Sequence, residues 1–593
     1  MLRSQPPLFF ARLVLASITV LTLAASACAP AAPVTPTSAP KPTTAPAAPT
    51  PTSAPQAGPT GGPAAAPKPT EPAAAKPTEP AKPAAKPAVA QLRIAIPNDE
   101  GALTPYTYKF GYPGLQMLFL VYDTVMQLDA EQIPRPLLAR EVKPSADGLT
   151  YEISLRPGIR WHDGKPLTAD DVKFTYEYFI QNTSGRFSPP LRTSVDSITT
   201  SGAEGVTIKL KAANPSFPVR ALADIPIMPR HVWEGVPAEK TKETLATIGS
   251  GPYKLLEATE TLYRMRANAD YFLGAPAVDE LLFPVIKDQN TALQALRTGE
   301  IQGFTTELPP EQVQQFNQGA LKVAKGPNFA STLLQLNTER APLDKKEVRQ
   351  AIDLAIDKKK LVETVLLGNG TVAAPGFVHP DISWHDASVQ PRFDATRARQ
   401  LLDQVGAAPG SDGVRVLNGE PLAFTLLVYS SLPLRIRAAE LIGTMLKDVG
   451  IQVTVRALDP NATDALVWPE FDAAKGRDYD MAMWGWSAPV QIDPGRLPDL
   501  VHSDFSIGRS NIGAIKSANI DKFANDVRST IDESKRIEAV RALEKAIADE
   551  TPFVMLYFQD GNYGYRAQTY DSWVFQKGQG IFTKLSFIQG FPR

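Results

Sequence analysis

Cysteine is almost absent from this 593-residue chain, with Cys28 the only one. A single cysteine cannot close an internal disulfide or build a cysteine-based zinc site. Histidine is nearly as scarce, at five residues: His162, His231, His379, His385 and His502. Their spacing matches no standard metal motif, so solvated or structurally hydrogen-bonded rings are expected, and neither a metal nor another cofactor. No charge of one sign dominates, with 61 Lys+Arg against 62 Asp+Glu and a net charge of -1. Nucleic-acid binding draws on a basic excess that displaces counterions, so no nucleic-acid partner is expected. After the N-terminal segment no apolar run reaches the 18 or more residues that a membrane-spanning helix requires. Motifs of catalysis are missing as well. There is no His-Glu-x-x-His, no Gly-x-Ser-x-Gly and no glycine-rich loop ending in Gly-Lys-Ser/Thr. The acidic pair Asp170-Asp171 sits at a predicted helix start, where carboxylates favour the helix dipole. An enzyme is therefore not expected.

What is present begins at the N-terminus. Arg3 and Arg12 precede an apolar stretch from Leu13 to Ala25, followed by Ser26-Ala27-Cys28. This reads as a secretory signal. Its end resembles a bacterial lipobox, although Ala25 stands where that pattern prefers leucine. The resemblance implies lipidation of Cys28 and residence outside the cytoplasm, on the outer face of the cell membrane. Residues 29–90 hold eighteen prolines among Ala, Thr, Ser, Gly and Lys, and the hexad Lys-Pro-Thr-Glu-Pro-Ala occurs at 68–73 and 76–81. Such a composition buries too little apolar surface to fold. In extended form it reaches more than about 100 Å, a stalk for a tethered domain.

From Gln91 onward strands and helices mix. Leu92–Ile96 alternates as a strand, and so do Tyr151, Ile153 and Leu155. Thr168 and Asp171 carry the spacing of a helix start, with Val172, Thr175, Tyr176 and Phe179 on one face. Asp344 with Glu347 and then Asp394 predict two further helix starts. A stripe from Leu434 to Val449 stops at Gly450, and Ile451, Val453 and Val455 alternate at once, the helix-to-strand unit of an α/β sheet. Pro552 ends a helix, and Phe553–Phe558 reads as a buried strand. The segment Tyr479–Trp486 alternates into two tryptophans beside Gly485, with loop residues Pro489, Asp493 and Pro494 after it. Trp484 and Trp486 point the same way along a strand. Both are candidate cleft residues, offering a rigid face and an N–H donor, and both could equally share an apolar layer.

The stretch Leu149–Val172, LTYEISLRPGIRWHDGKPLTADDV, resembles the signature of the family 5 solute-binding proteins of ABC importers. Further blocks agree in order: IGSGPYKL at 248–255, ALQALRTGEIQGF at 292–304, LNTERAPLDKKEVRQAIDLAID at 336–357, Gly485-Trp486 with Asp493-Pro494, and 551–557. The resemblance covers essentially 91–593. It implies a two-lobed α/β periplasmic-binding-protein fold with an extra inserted domain: lobe I from 91–135, 249–337 and 553–593, the insert at 136–248, and lobe II at 338–552. The signature itself looks structural, with Trp161 packed and Thr168 as a cap.

The resemblance also implies a peptide or other small polar solute held between the lobes by hinge closure, with permease subunits in the membrane as partners and a monomer sufficient for capture. Peptide binders of this family carry Gly-Trp-x-x-Asp, whose carboxylate pairs with the peptide amine. This chain reads Gly485-Trp486-Ser487-Ala488-Pro489, and proline cannot pair with an ammonium. Asp493 is the nearest substitute. The candidate ligand-binding set is Trp486, Ser487, Asp493, Trp484, Asn337 and Thr104, the last two because they fall at predicted strand ends or loops near the cleft. A metal chelate, an opine-like compound or an oligosaccharide is the alternative ligand. A tethered sensor or adhesin is the alternative role.

Overall fold

The computed structural model describes residues 89–105, 112–182, 187–236 and 247–591. Cys28 and the proline-rich segment to residue 88 lie outside them. The first strand, β1, occupies Val89–Ala95 and enters an eleven-stranded mixed sheet. In chain order the others are β2 (Tyr253–Ala258), β3 (Leu262–Ala267), β4 (Val278–Pro284), β5 (Gly303–Phe304), β6 (Leu321–Leu336), β7 (Gly370–Val372), β8 (Ala423–Tyr429), β9 (Gln452–Leu458), β10 (Met481–Trp484) and β11 (Phe553–Arg566). In space they run β9-β8-β10-β6-β11-β5-β1-β4-β3-β2, with β7 beside β11. β1 is parallel to β4 and β5, and β8 is parallel to β9 and β10.

Two long strands carry the sheet from one half of the molecule to the other. β6 and β11 pair antiparallel from Leu321↔Arg566 to Gln335↔Phe553, and the register slips between Pro327 and Ser331. The slip follows from the residues. Pro327 has no N–H to give the ladder, and Phe329 is held at φ +67, so the local backbone cannot continue a pleat.

On either side of this irregularity lie different cores. Beyond it, strand alternation sorts side chains onto two faces. Leu334, Leu336, Met481, Met483, Val554 and Leu556 face the helices Lys346–Ala355, Ala395–Gln404 and Pro433–Lys447. Leu333, Ala482, Trp484, Phe553, Met555 and Phe558 face the helices Ala518–Ser529 and Glu533–Glu550. Before it, Leu92, Ile94, Tyr253 and Met265 share one core with Tyr563, Phe582 and Phe587 from the C-terminal segment. Side chains of β6 and β11 on either side of the slip near 327–331 thus belong to different apolar clusters.

Residues 139–210 add an antiparallel four-stranded sheet, Ala139–Pro144, Thr150–Leu155, Gly205–Leu210 and Val195–Ser201 in spatial order. Its Tyr151, Ile153, Leu155 and Ile208 belong to the same continuous core as β1 and β4, so the insert extends the first half. The signature stretch makes that join. Trp161 is buried, and the Asp171 carboxylate accepts from the Thr168 backbone N–H at 2.8 Å and from Arg230 N–H at 2.8 Å. His162 Nε2 pairs with the Gly251 carbonyl at 2.9 Å while its Nδ1 accepts from Gly249 N–H at 3.2 Å. A Cβ at Gly249 or Gly251 would overlap the backbone of Leu120 and Val121, so only glycine fits there.

Helix boundaries mostly follow the expected chemistry. Asp394 caps its helix by accepting from Arg397 N–H, and Gly406 and Gly450 take positive φ just past two helix ends. Asp344 does not cap. The helix begins at Lys346 behind Lys345, with no side-chain cap, and the Asp344 carbonyl instead accepts from Arg349.

One buried ion pair ties the C-terminal segment to the first half. Lys584 donates to Asp123 at 2.5 Å and to the Tyr122 carbonyl at 3.0 Å, and Ser250 and Tyr271 also donate to Asp123. Both charges are essentially inaccessible to solvent. Lys584→Met would strand a buried carboxylate and cost about 3–5 kcal/mol in denaturant unfolding, and pairing it with Asp123→Asn should recover much of that loss.

Burial pulls the His162 imidazole down to about 4, against about 6.5 in an unfolded chain. Between those values the unfolded state binds more protons, so this ring's contribution is full above pH 6.5 and is lost as pH falls towards 4. In unfolding experiments from pH 7 to 4, His162→Asn should show a shallower acid loss than wild type, by roughly 1–3 kcal/mol across the window.

Candidate functional site

The C-terminal ends of parallel β8 and β10 lie side by side in the second half, because Leu426 pairs with Met481 and Leu427 with Ala482. In open α/β sheets this edge is where ligands settle. Beyond β10 the backbone keeps its register opposite β6. Trp486 N–H donates to Ser331 Oγ at 2.9 Å, and Ser331 N–H donates to the Trp486 carbonyl at 2.9 Å. Gly485–Trp486 is therefore stitched directly to the irregular segment of β6.

Trp484 and Trp486 lie in one apolar cluster, with ring centroids 6.4 Å apart. Trp484 is buried edge-on to Tyr429, with ring centroids 5.5 Å apart. Trp486 is half-buried, edge-on to Trp468 at 5.5 Å, and Trp468 in turn meets the exposed Phe471 at 5.4 Å. The four aromatics Tyr429, Trp484, Trp486 and Trp468 make a graded wall, dry at Trp484 and open towards Phe471. Ser487 is exposed.

The remaining sequence candidates lie differently. Asn337 is buried and braces its own turn: its Nδ2 donates to the Tyr479 carbonyl at 2.8 Å and its Oδ1 accepts from Glu339 N–H at 3.1 Å. Thr104 is buried in the first half. The Asp493 carboxylate is only 1% exposed. It accepts from Ser216 Oγ at 2.7 Å and Gly495 N–H at 3.0 Å, with Arg536 at 3.5 Å and Arg220 at 3.9 Å. That carboxylate joins the insert to the second half, and its surroundings are protein donors. It is not placed as a free substitute for the missing aspartate, because two guanidinium groups already neutralise it.

Two charged residues that the sequence reading passed over stand near the register slip of β6. Arg435 lies in the first turn of the helix Pro433–Lys447. No carboxylate or carbonyl among the described residues accepts from its guanidinium. Burial lowers its basicity, and the phenols of Tyr557 and Tyr429 are its nearest titratable neighbours. Glu307 follows β5 in the first half. Its Oε1 accepts from the Asn328 amide and, at 3.3 Å, from Tyr563 OH. Burial pushes its carboxyl up to about 7, and no basic group offsets it. The sequence signal for both was weak. Each is one charged residue in an otherwise ordinary helix start or loop.

A cavity of about 370 Å³ also opens between the halves, bounded by Gln132, Ile133 and Lys577 on one side and by Ile382, Trp384 and Ile492 on the other. This falls in the size range of small-molecule sites. The histidines have structural roles. His379 is buried and edge-on to Phe329 and Phe558, and His385 meets Glu544 at 2.7 Å.

Two α/β halves, a sheet that crosses between them on two strands, and a polar and aromatic cleft beside that crossing define a solute-binding protein. The chain belongs to the bacterial extracellular solute-binding proteins, family 5, whose middle-region model matches residues 134–506. It is 28% identical over 455 residues to the oligopeptide-binding protein AppA of Bacillus subtilis, covering 75% of this chain and 81% of that one. It is 26% identical over 484 residues to the nickel-binding periplasmic protein of Escherichia coli, covering 79% and 89%. The solved structure of B. subtilis AppA in complex with a nonapeptide shares the fold at a TM-score of 0.66, 24% identity, and coverage of 85% and 99%. NikA from Brucella suis in complex with Fe(III)-EDTA does so at 0.72, 22%, and 83% and 98%. The protein is the extracytoplasmic substrate-binding component of an ABC importer.

Gly485 is required where it stands, since a Cβ there would overlap the Ser331 carbonyl oxygen and the Arg435 guanidinium. Gly485→Ala should lower thermal stability by roughly 1–3 kcal/mol, read by calorimetry, as the strand is forced off β6.

Proposed function

We propose that this protein captures a peptide or another small polar solute between its two halves and closes on it by flexing β6 and β11 at 327–331 and 558–560. The single observation that supports this most is the interruption of the ladder, with register shifts between Pro327 and Ser331 and between Thr332 and Leu333, lying where one core gives way to another. A ligand touching both halves stabilises the closed form by its differential affinity, and no covalent step is involved. The closed form then docks on membrane permease subunits, and a monomer is enough. Lipid on Cys28 would hold the N-terminus at the outer face of the membrane, with residues 29–90 as the tether.

A second reading, a metal chelate, an opine-like compound or an oligosaccharide as ligand, is favoured by Pro489. That residue stands where peptide binders of the resemblance carry their amine-pairing carboxylate. The relatives span both chemistries, one being an oligopeptide-binding protein and another a nickel-binding one.

Mass spectrometry of the gently purified full-length protein, native against denatured, separates these readings. The expected native mass exceeds the denatured mass by one ligand, and a heterogeneous set of short peptides supports the first reading. One defined non-peptide compound establishes the second. A protein that neither carries nor takes up any solute would count against both. The denatured mass also reports acyl chains, and its equality with an unmodified polypeptide would remove Cys28 as the anchor.

A further inference from the structure

We propose that a second ligand site lies between the insert and the second half: a cavity lined by arginines that takes a phosphate-class oxyanion, free or as the phosphoryl group of a small compound. This goes beyond the solute-binding reading above. Neither the aromatic wall around Trp486 nor the register slip of β6 contributes a residue to its lining.

The cavity measures about 350 Å³, at the lower end of the range for small-molecule sites. Ser194, Asn214 and Arg220 line it from the insert, and Asp499, Arg509 and Arg528 from the second half. The three arginines come from three separate elements. Arg220 lies in the helical turn Pro218–Leu222, Arg509 in a loop, and Arg528 in the last turn of the helix Ala518–Ser529. Three guanidinium groups thus line one cavity against a single carboxylate, that of Asp499.

The protein leaves most of their donors unused. An arginine carries five N–H donors. Arg509 gives one to the Ser506 carbonyl at 3.3 Å, and Arg528 gives one to Asn525 Oδ1 at 3.5 Å. Neither makes an ion pair among the described residues. Arg220 shares Asp493 with Arg536, its Nε standing 3.9 Å from Oδ2, beyond hydrogen-bond reach. Asp499 is influenced by Arg220, Arg496 and Arg509 together. Arg496 adds to the excess. Burial and then the like charge of Arg220 lower its basicity, while Asp493, Asp224 and Asp499 raise it. Asp504, which also acts on Arg528, is exposed, and water screens its charge.

The geometry selects the class of anion. A guanidinium offers a planar fork that matches paired oxygens, and it is less strongly hydrated than an ammonium. A halide presents no directed acceptors, and a carboxylate has only two oxygens. A tetrahedral phosphate has enough oxygens to meet arginines on three separate elements at once. Seated there, it contacts both the insert and the second half. The volume leaves room for a small organic group on the phosphate as well.

The test titrates the full-length protein in a calorimeter with inorganic phosphate and, separately, with glycerol phosphate, at an ionic strength held constant with chloride. One molecule per protein should bind saturably with a Kd below about 1 mM, the affinity that a few charge-assisted hydrogen bonds supply. The double variant Arg509→Gln with Arg528→Gln should weaken this at least about tenfold. Both side chains are exposed, and far-UV circular dichroism checks that the fold survives. Arg509→Lys, made alone, should keep part of the affinity. Asp499→Asn removes the like charge from the lining and should tighten binding severalfold. Lys359→Gln with Lys447→Gln makes the same change in net charge outside the lining and should leave the affinity as in wild type. Saturation by both compounds identifies free phosphate as sufficient, and saturation by glycerol phosphate alone identifies a phosphorylated compound; either supports the site. No saturable binding of either up to about 10 mM, or the same affinity in the double glutamine variant as in wild type, overturns the inference. So does an equal loss in the Lys359 and Lys447 variant, which would mean diffuse surface charge. Solute retention by the wild-type protein, read by native mass spectrometry, tests the earlier reading separately, so the failure of one is distinguishable from the failure of the other.

Discussion

The pairing of β6 with β11 is the interaction on which the rest of the structure depends. These two strands are the only long elements among the described residues whose hydrogen bonds serve both halves. Each half is a close-packed core that resists deformation. The closure proposed above would fall where the ladder is weakest. Pro327, which cannot donate, and Phe329, with its left-handed backbone, put that weak point beside the cleft. A continuous regular ladder would make the sheet one stiff body, and a flexible tether would give no defined closed form.

The features around this crossing are consistent with a protein organised for capture. The aromatic wall from Trp484 to Phe471 is built on the strand that pairs with β6, in the second half. The Asp493 cluster, in contrast, joins the insert to the second half through Ser216, Arg220 and Arg536. It forms a contact between bodies that the hinge would separate. The signature stretch lies away from the cleft, where His162 and the glycines at 249 and 251 lock the insert to the first half. A stretch can identify a family because it holds the frame, without touching ligand.

Local structure was legible in the sequence where short-range physics decides it. The capping of the Asp394 helix, the stops at Gly406 and Gly450, the alternation through β9 and β10 and the Thr168–Asp171 start follow from spacing alone. The exception at Asp344 shows the limit: its carbonyl is drawn to Arg349, and the helix begins one residue later than the carboxylate suggested. The change of core within β6 was not read from the sequence, although Gly326-Pro327 interrupts the strand pattern there, because which cores the two stretches join depends on long-range pairing.

The sequence by itself determined the class of the protein and its α/β elements. Each depends on composition or on contacts a few residues apart. Only the tertiary structure decided which charges are left without partners. Asp493, which looked free along the chain, is neutralised by arginines 273 and 43 positions away in sequence. Glu307, which looked ordinary, is met by the Asn328 amide and the Tyr563 hydroxyl, far from it in sequence. Compensation of a charge is a matter of distance in space, and that distance is set by the long-range pairing of strands rather than by any neighbouring residue.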